Sequence, residues 1–299
     1  MIPRASSIAQ IQVIPTGIPA IDKILGVGGI PIGRITEISG RWSVGKTTLA
    51  LQIIASAQKQ GHECIFVDAE WAWEGNDYAN TLGVDTDKLG FLQTRVAEDS
   101  LDELLEYVEK GKNTLIVIDA VGALHARDEA EKASGDRTIG SQSALMARFC
   151  RKIVPMLSLN NNALVVLNHE YTPIESNGGR PTIKTSGGAK LEYHKSIWLR
   201  LSRNGNNIKV GDNFVGFEVK AEVRKNKLAA EKKECTLDFR YGKGFDAVRD
   251  LKEEALEKGL IRREGNTFYS PENIKIGTKA KFDEWFTEHA DEIQAALQT

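Results

Sequence analysis

The chain has 299 residues, of which 41% are hydrophobic and 27% charged, an ordinary globular composition that fits one large domain plus a small one, or two similar domains. With a net charge of −2, the chain as a whole does not attract nucleic acid by its charge. Any binding to nucleic acid must therefore come from a local basic patch. The three cysteines are scattered and form no CxxC pair, which indicates a cytoplasmic protein with no structural metal. No run approaches eighteen apolar residues, so we expect no membrane span.

The first half of the chain alternates apolar strands with amphipathic helices. Continuous apolar runs predict strands at 34–39, 63–70, 114–124 and 162–170. Helical spacing of apolar residues predicts helices at 46–61 and 141–159. This alternation is typical of βαβ units, so we expect an α/β fold with a mostly parallel central sheet flanked by helices.

The second half follows a different pattern. Alternating apolar and polar residues predict antiparallel strands at 195–203, 214–226 and 234–242, with a turn at 204–207. Near residue 245 the pattern changes to a helix, a polar stretch and a second helix from about residue 278, which predicts a small α+β domain. We therefore divide the chain into a short N-terminal segment, a core and a C-terminal domain, at residues 1–30, 31–245 and 246–299.

A phosphate-binding motif stands between the first strand and the first helix. The stretch "SGRWSVGKTT" contains GxxxxGK[ST], in which Gly40 and Gly45 let backbone N–H groups turn inward around a phosphate. Lys46 would reach the terminal phosphates and Thr47 would bind Mg²⁺. A Gly-rich turn that only caps a helix is the plainer alternative, but the strand and helix around the motif favour nucleotide binding.

Polar residues follow three of the predicted strands. Asp119 ends the strand in "LIVID", where a carboxylate can help to hold Mg²⁺. Glu70 ends a neighbouring strand and is a candidate for positioning the attacking water. Asn168 and His169 end the next strand, where they could sense the γ-phosphate. The plain alternatives are a helix cap for Asp119, a surface carboxylate for Glu70, and an ordinary surface or core residue for His169.

Positive charge is concentrated in one part of the chain. Residues 180–245 hold fifteen Lys and Arg against seven Asp and Glu, a net charge of +8, whereas residues 246–299 have a net charge of −4. This basic region flanks a stretch at 171–186 that is rich in Gly, Pro, Ser and Thr and has no periodicity. Such a surface suits binding to a phosphate backbone, although a solvated face of an antiparallel sheet would look the same.

Together these segments resemble the RecA family of DNA recombinases. The matching stretches include "GGIPIGRITEISGRWSVGKTTLALQ", "FVDAEWAW", "LIVIDAVGAL", "SGGAKLEYHKSIWLRL" and "VRKNKLAAEKKE", in family order and at family spacing. The tail from "LKEEALEKGLI" is similar to the small C-terminal domain of bacterial RecA. The resemblance implies a RecA-like P-loop ATPase core, and His169 in place of the usual bacterial glutamine is similar to phage recombinases of the UvsX type.

The resemblance implies the following ATP-site roles. Glu70 positions the hydrolytic water, Asp119 and Thr47 hold Mg²⁺, and Glu74 and Tyr78 lie near the adenine. His169 is a further catalytic residue of this site. Lys225 and Lys227 reach the γ-phosphate held by a neighbouring subunit. The triphosphate loop comprises Gly40, Arg41, Trp42, Ser43, Val44, Gly45, Lys46, Thr47 and Thr48.

The resemblance also implies two DNA-binding loops. The first matches 135–140 and the second 171–186, where Ile139 and Ile174 would act as apolar wedges between bases. The remaining predicted DNA contacts are basic residues and a glycine pair, namely Arg137, Arg151, Lys152, Arg180, Lys184, Gly187 and Gly188.

Several positions depart from the family pattern. Only about fifteen residues precede "IPTGIPAID", where bacterial RecA has a longer docking segment, although Ile2 and Ile8 could still form a docking strand. Trp198 and Glu192 occupy positions where the family has basic residues. Arg41 and Trp42 replace smaller or acidic residues, and they would face a neighbouring subunit or cover the nucleotide.

The sequence therefore predicts a DNA-dependent ATPase that forms helical filaments on single-stranded DNA and exchanges it with homologous duplex in recombination and repair. The implied ligands are ATP, Mg²⁺ and both forms of DNA, with no membrane partner, in a bacterial cytoplasm or a host cytoplasm if the protein is phage-encoded. The alternative is another ATPase with a RecA core, such as a hexameric helicase or a regulatory ATPase.

Overall fold

A ten-stranded sheet runs through the larger part of the molecule. The computed structural model describes residues 11–73, 75–93, 96–131, 140–172, 183–210, 212–246 and 248–297. In chain order the strands are β1 (Val13–Ile14), β2 (Ile30–Pro31), β3 (Ile35–Gly40), β4 (Glu63–Asp68), β5 (Leu89–Leu92), β6 (Thr114–Asp119), β7 (Ala163–Tyr171), β8 (Lys184–Thr185), β9 (Ile197–Val210), β10 (Asn213–Asn226), β11 (Glu234–Arg240), β12 (Gly244–Asp246), β13 (Arg262–Glu264), β14 (Thr267–Tyr269) and β15 (Lys275–Gly277). The helices are α1 (Pro19–Leu25), α2 (Lys46–Lys59), α3 (Asn76–Thr81), α4 (Ala97–Lys110), α5 (Arg127–Glu131), α6 (Ser141–Leu159), α7 (Gly188–His194), α8 (Val248–Glu257), α9 (Lys279–Glu288) and α10 (Ala290–Leu297).

The order of the strands confirms the predicted α/β class. The central sheet follows the order β12-β11-β10-β9-β3-β7-β6-β4-β5, and β8 pairs with β7 outside this path. The six strands from β9 to β5 are parallel, whereas β10, β11 and β12 add antiparallel pairs at one edge. The carboxyl ends of β3, β4, β6 and β7 therefore meet at one edge of the sheet, where ligands bind in open α/β folds.

Two hydrophobic cores cover the two faces of this sheet. On one face Leu49 and Ile53 of α2 pack with Val117 and other residues of the strands. On the other face residues of α4 and α6, such as Leu104 and Ile153, are buried with strand residues. Successive strand residues point to opposite faces, so a strand that is buried on both needs the continuous apolar run seen in the sequence.

The described part of the N-terminal segment packs onto the first of these cores. Strand β1 pairs antiparallel with β2, and Ile14, Ile18 and Ile21 are fully buried against the α2 side of the sheet. The predicted docking residues Ile2 and Ile8 lie outside the described residues.

The predicted turn at 204–207 is wrong, because β9 continues through it to Val210. The register between β9 and β10 shifts opposite Glu218, where Gly205 has a φ of 81°. The side chains of Asn204 and Asn206 donate to Glu218 Oε2 at 3.4 and 2.6 Å, which satisfies the irregular strand locally. The turn-forming residues therefore form a bulge inside a long hairpin instead of closing a short one.

Residues 248–297 have a small core of their own. Helices α8, α9 and α10 surround the three-stranded sheet β13-β14-β15. The rings of Phe268 and Phe282 stack at 4.2 Å, and Phe286 is fully buried beside them. Arg249 of α8 pairs with Glu218 and Asp238 of the large sheet at 3.1 and 2.8 Å. The division of the chain into domains stays a prediction.

Within the described ranges, no helix combines the length and the apolar character that a membrane crossing requires.

Candidate nucleotide site

The phosphate loop (residues 40–48) joins the end of β3 to the start of α2, and its glycines are sterically required. Gly45 has a φ of 93°, and a Cβ atom there would lie 2.9 Å from the ring of Phe245. A Cβ atom on Gly40 would lie 2.6 Å from the carbonyl oxygen of Leu201. Backbone N–H groups at the start of α2 favour a bound anion, so the geometry of the loop suits a phosphate.

The middle of the loop divides into exposed and buried side chains. Arg41 and Ser43 are exposed, and Trp42 is 83% exposed at the mouth of the site. Val44 is buried in the core, so only its backbone can face a phosphate. The exposed Trp42 is therefore free to contact a nucleotide or another protein surface.

Lys46 is a buried cation that faces the other polar groups of the site. Its Nζ donates to the carbonyl oxygens of Gly40 and Arg41 at 3.2 and 3.0 Å. Burial lowers the pKa of Lys46, while the negative charges of Asp119 and Glu70 act in the opposite direction. The site therefore holds a desolvated ammonium group ready to pair with phosphate oxygens.

Thr47 and Asp119 form the oxygen pair that was predicted to hold a metal. Thr47 Oγ1 donates to Asp119 Oδ2 at 2.6 Å, and Asp119 is 6% exposed. Burial raises the pKa of Asp119 to about 6, and the hydrogen bond from Thr47 opposes this shift. A hydroxyl beside a carboxylate is the oxygen donor set that Mg²⁺ prefers when phosphates complete its shell. Among the described residues, no group of three or more His, Cys, Asp or Glu side chains is placed to hold a metal ion by itself.

His169 connects Glu70 to Lys46. Its Nε2 lies 2.7 Å from Glu70 Oε1 and its Nδ1 lies 3.4 Å from Lys46 Nζ. The ammonium group of Lys46 can only donate a hydrogen bond, so His169 Nδ1 accepts it. His169 Nε2 therefore carries the hydrogen and donates it in a hydrogen bond to the Glu70 carboxylate. The imidazole therefore holds the Glu70 carboxylate beside the phosphate loop, about one third exposed.

A cavity of about 670 Å³ contains these groups and has an aromatic wall that the sequence did not indicate. The wall comes from the antiparallel strands, where Phe217 stacks on Phe239 at 4.8 Å and Tyr241 lies 5.9 Å from Phe217. The guanidinium of Arg203 covers the ring of Phe217 at 3.8 Å. Their alternating pattern predicted strands, but only the strand order places those strands beside the phosphate loop.

The predicted adenine residue Tyr78 also lies beside the phosphate loop. Its hydroxyl is 2.9 Å from Thr48 Oγ1, and its side chain is partly exposed. Glu74 lies outside the described residues.

The predicted DNA-binding residues are only partly described. Arg137, Ile139, Ile174 and Arg180 lie outside the described residues. Lys184 is exposed on β8.

The glycine pair lies at the start of α7. Gly187 and Gly188 have φ angles of 98° and 72°, and added Cβ atoms would collide with Leu191 and Ser143. This tight packing alone explains both glycines.

Arg151 and Lys152 lie on the exposed side of α6. Lys152 Nζ is 3.6 Å from Asp102 Oδ1 of α4, so one of the two predicted phosphate contacts already has an acidic neighbour.

Lys225 and Lys227 do not meet the phosphate loop of their own chain. Their amines donate to the carbonyl oxygens of Glu192 and Tyr193 at the end of α7, the second contact measuring 2.6 Å. Lys227 Nζ also lies 5.1 Å from the ring centroid of Tyr193.

Comparison with known proteins relates this site to one family. A model of the RecA N-terminal domain matches residues 2–246. Protein RecA of Thermus aquaticus is 40% identical over 285 residues, which cover 95% of this chain and 83% of that protein. Protein RecA of Deinococcus radiodurans is 42% identical over 273 residues, covering 91% and 74%, and that of Aquifex aeolicus is 38% identical over 285 residues, covering 95% and 81%. A phage origin stays a prediction.

Proposed function

The chain belongs to the RecA family of ATP-dependent DNA recombinases, and we propose that its residues perform this function through one ATP site shared with a neighbouring subunit and two DNA-binding loops. The observation that carries this proposal is the cluster at the phosphate loop, where His169 contacts both Lys46 and Glu70, and Thr47 contacts Asp119. These are the cation, the carboxylates and the hydroxyl that phosphoryl transfer to water requires.

Mg²⁺ fits the pair formed by Thr47 and Asp119. Their oxygens lie 2.6 Å apart at the start of α2 and the end of β6, beside the backbone that would hold the phosphates. When bound, the ion would neutralise charge on the phosphate oxygens. Thr47 would bind it through its hydroxyl, and Asp119 directly or through water.

Glu70 is proposed to position the attacking water and accept its proton. Its side chain is about one third exposed and faces the cavity, so water can reach it. The N–H donated by His169 orients the carboxylate and leaves its second oxygen available. A γ-phosphate would compete for the same N–H, so His169 would exchange Glu70 for phosphate and thereby sense hydrolysis.

Lys225 and Lys227 are proposed to act on the nucleotide of a neighbouring subunit. Their contacts with the end of α7 keep them away from their own phosphate loop, which supports a role in trans. The loops at 135–140 and 171–186 are proposed to bind DNA, together with the basic residues predicted near them.

One pair of measurements tests the proposed function. ATP hydrolysis is measured with and without single-stranded DNA, and the same mixtures are imaged by electron microscopy with a nonhydrolysable ATP analogue. We expect DNA to stimulate hydrolysis and helical filaments to form. Rings with an ATPase rate independent of DNA would contradict the proposal and support a helicase or regulatory ATPase instead.

A further inference from the structure

The strand end that bears His169 is anchored from its other face. Glu170, the next residue, is only 5% exposed at its side chain. Arg200 Nε of β9 donates to both carboxylate oxygens of Glu170, at 2.9 and 3.1 Å. Ser39 Oγ of β3 donates to the same carboxylate at 2.9 Å. One buried carboxylate therefore joins the carboxyl ends of β3 and β7 to the first residues of β9.

The anchor extends further along β9. Trp198 Nε1 donates to Ser39 Oγ at 2.7 Å, which completes a polar relay formed by Ser39, Glu170, Trp198 and Arg200. The amine of Lys195 lies 3.8 Å from the centre of a Trp198 ring. Burying several polar groups is costly unless each finds a partner, so this relay specifies one arrangement of the strand ends.

Lys195 connects the relay to α7. It is fully buried and pairs with Glu37 at 3.1 Å and with Glu192 at 2.5 Å. The backbone carbonyl of Glu192 accepts the hydrogen bond from Lys225. Contacts thus run from the ATP-site strand to a lysine that we assign to the nucleotide of a neighbouring subunit.

We propose that Glu170 is a positioning residue that couples DNA binding to ATP hydrolysis. Held by Ser39 and Arg200, it fixes the end of β7, so that His169 faces Lys46 and Glu70 on one side of the sheet while the chain continues from Tyr171 into the proposed DNA loop. DNA bound to the segment that follows Tyr171 would act on the strand end that Glu170 holds, and through it on His169. This inference rests on the proposed function of the ATP site and the loop.

The test compares Glu170→Gln with the wild type. Glutamine keeps the shape and the acceptor for Ser39 but loses the charge that pairs with Arg200. We expect basal hydrolysis and the affinity for a fluorescent ATP analogue to change by less than about threefold, and the stimulation by single-stranded DNA to fall about tenfold. Asp238→Asn is the matched control, since Asp238 forms a half-buried pair with Arg249 in the same sheet, and its stimulation should match the wild type.

Three further measurements keep the test decisive. Arg200→Gln, alone and combined with Glu170→Gln, should give the same loss of stimulation as Glu170→Gln, because residues of one pair are not additive. Trp198→Phe removes the N–H donor and keeps a ring beside Lys195, so it should lower stimulation with little change in melting temperature. It also replaces Glu170→Gln if that variant fails to fold.

Unchanged stimulation in folded Glu170→Gln or Trp198→Phe would overturn the inference, as would equal losses of basal and stimulated rates, which indicate a merely structural role. A wild type without DNA stimulation would instead contradict the proposed function.

Discussion

Replacing Glu70 with glutamine tests the assignment of the hydrolytic residue. The variant keeps the side-chain length, and its amide oxygen can still accept the hydrogen bond from His169 Nε2, now 2.7 Å from Glu70 Oε1. The substitution therefore removes negative charge and basicity while preserving the geometry around Lys46. A positioned general base contributes about 10²–10⁴-fold to a rate, and we expect DNA-stimulated hydrolysis to fall about 10²–10³-fold.

Nucleotide binding should survive this change, because Glu70 contacts His169 and not the phosphate loop backbone. Titration with a fluorescent ATP analogue should give a Kd within about threefold of the wild type, which is less than 1 kcal/mol. Glu63→Gln is the control, since Glu63 begins β4, which ends two residues before Glu70, and accepts a hydrogen bond from the Tyr107 hydroxyl at 2.6 Å on the surface. Hydrolysis by folded Glu70→Gln within tenfold of the wild type would refute the assignment and move the base elsewhere.

The remaining predictions concern binding, metal, assembly and pH. Lys46→Ala should abolish ATP binding and filament activation together, as measured by titration and electron microscopy, and normal DNA-stimulated turnover would refute the site. Thr47→Val should raise the Mg²⁺ concentration for half-maximal hydrolysis at least about tenfold, whereas Thr47→Ser should restore it. Lys225→Gln should bind ATP but not hydrolyse it, and a mixture with Lys46→Ala should hydrolyse more than either variant alone; no gain would contradict a role in trans. Burial raises the pKa of Asp22 to about 6 from 3.8, so the free energy of unfolding should fall as pH rises from about 4 to 6, by at most about 3 kcal/mol. Asp22→Asn should remove that part of the pH dependence in denaturant titrations, and an unchanged pH profile would show that Asp22 is not its source.

Much of the fold could be predicted because strands that are buried on both faces need continuous apolar runs. Strand β6 and helix α6 follow directly from such patterns. The edge strand β5 escaped prediction, since its four residues are partly exposed and its apolar run is short. The long β9–β10 hairpin escaped because turn residues at 204–207 form a bulge whose polar partner, Glu218, is distant in sequence.

The sequence likewise predicted only part of the candidate site. Local motifs predicted the phosphate loop and the strand-end carboxylates, since each depends on a few neighbouring residues. The aromatic wall of Phe217, Phe239 and Tyr241 depends on which strands are adjacent, and alternation does not encode that order. The Glu170 anchor was equally hidden, because its partners Ser39 and Arg200 lie 131 and 30 residues away along the chain.

The pleat of β7 explains how one strand end can serve two tasks. Successive residues of a strand point to opposite faces, so His169 faces Lys46 and Glu70 while Asn168 and Glu170 face the other side. The Asn168 side chain donates to the Ser186 carbonyl oxygen at 2.8 Å and accepts from the Ser186 N–H at 3.1 Å. Both ends of the segment 171–186 are thus tied to the strand that bears His169. A rotation of this strand end that lengthened the 2.7 Å contact between His169 and Glu70 would also displace the partners of Ser186 and Arg200. Because these contacts are directional, and the side chains of Asn168 and Glu170 are buried, the strand end favours a few discrete positions over a continuous range, as a switch between ATP-bound and hydrolysed states requires.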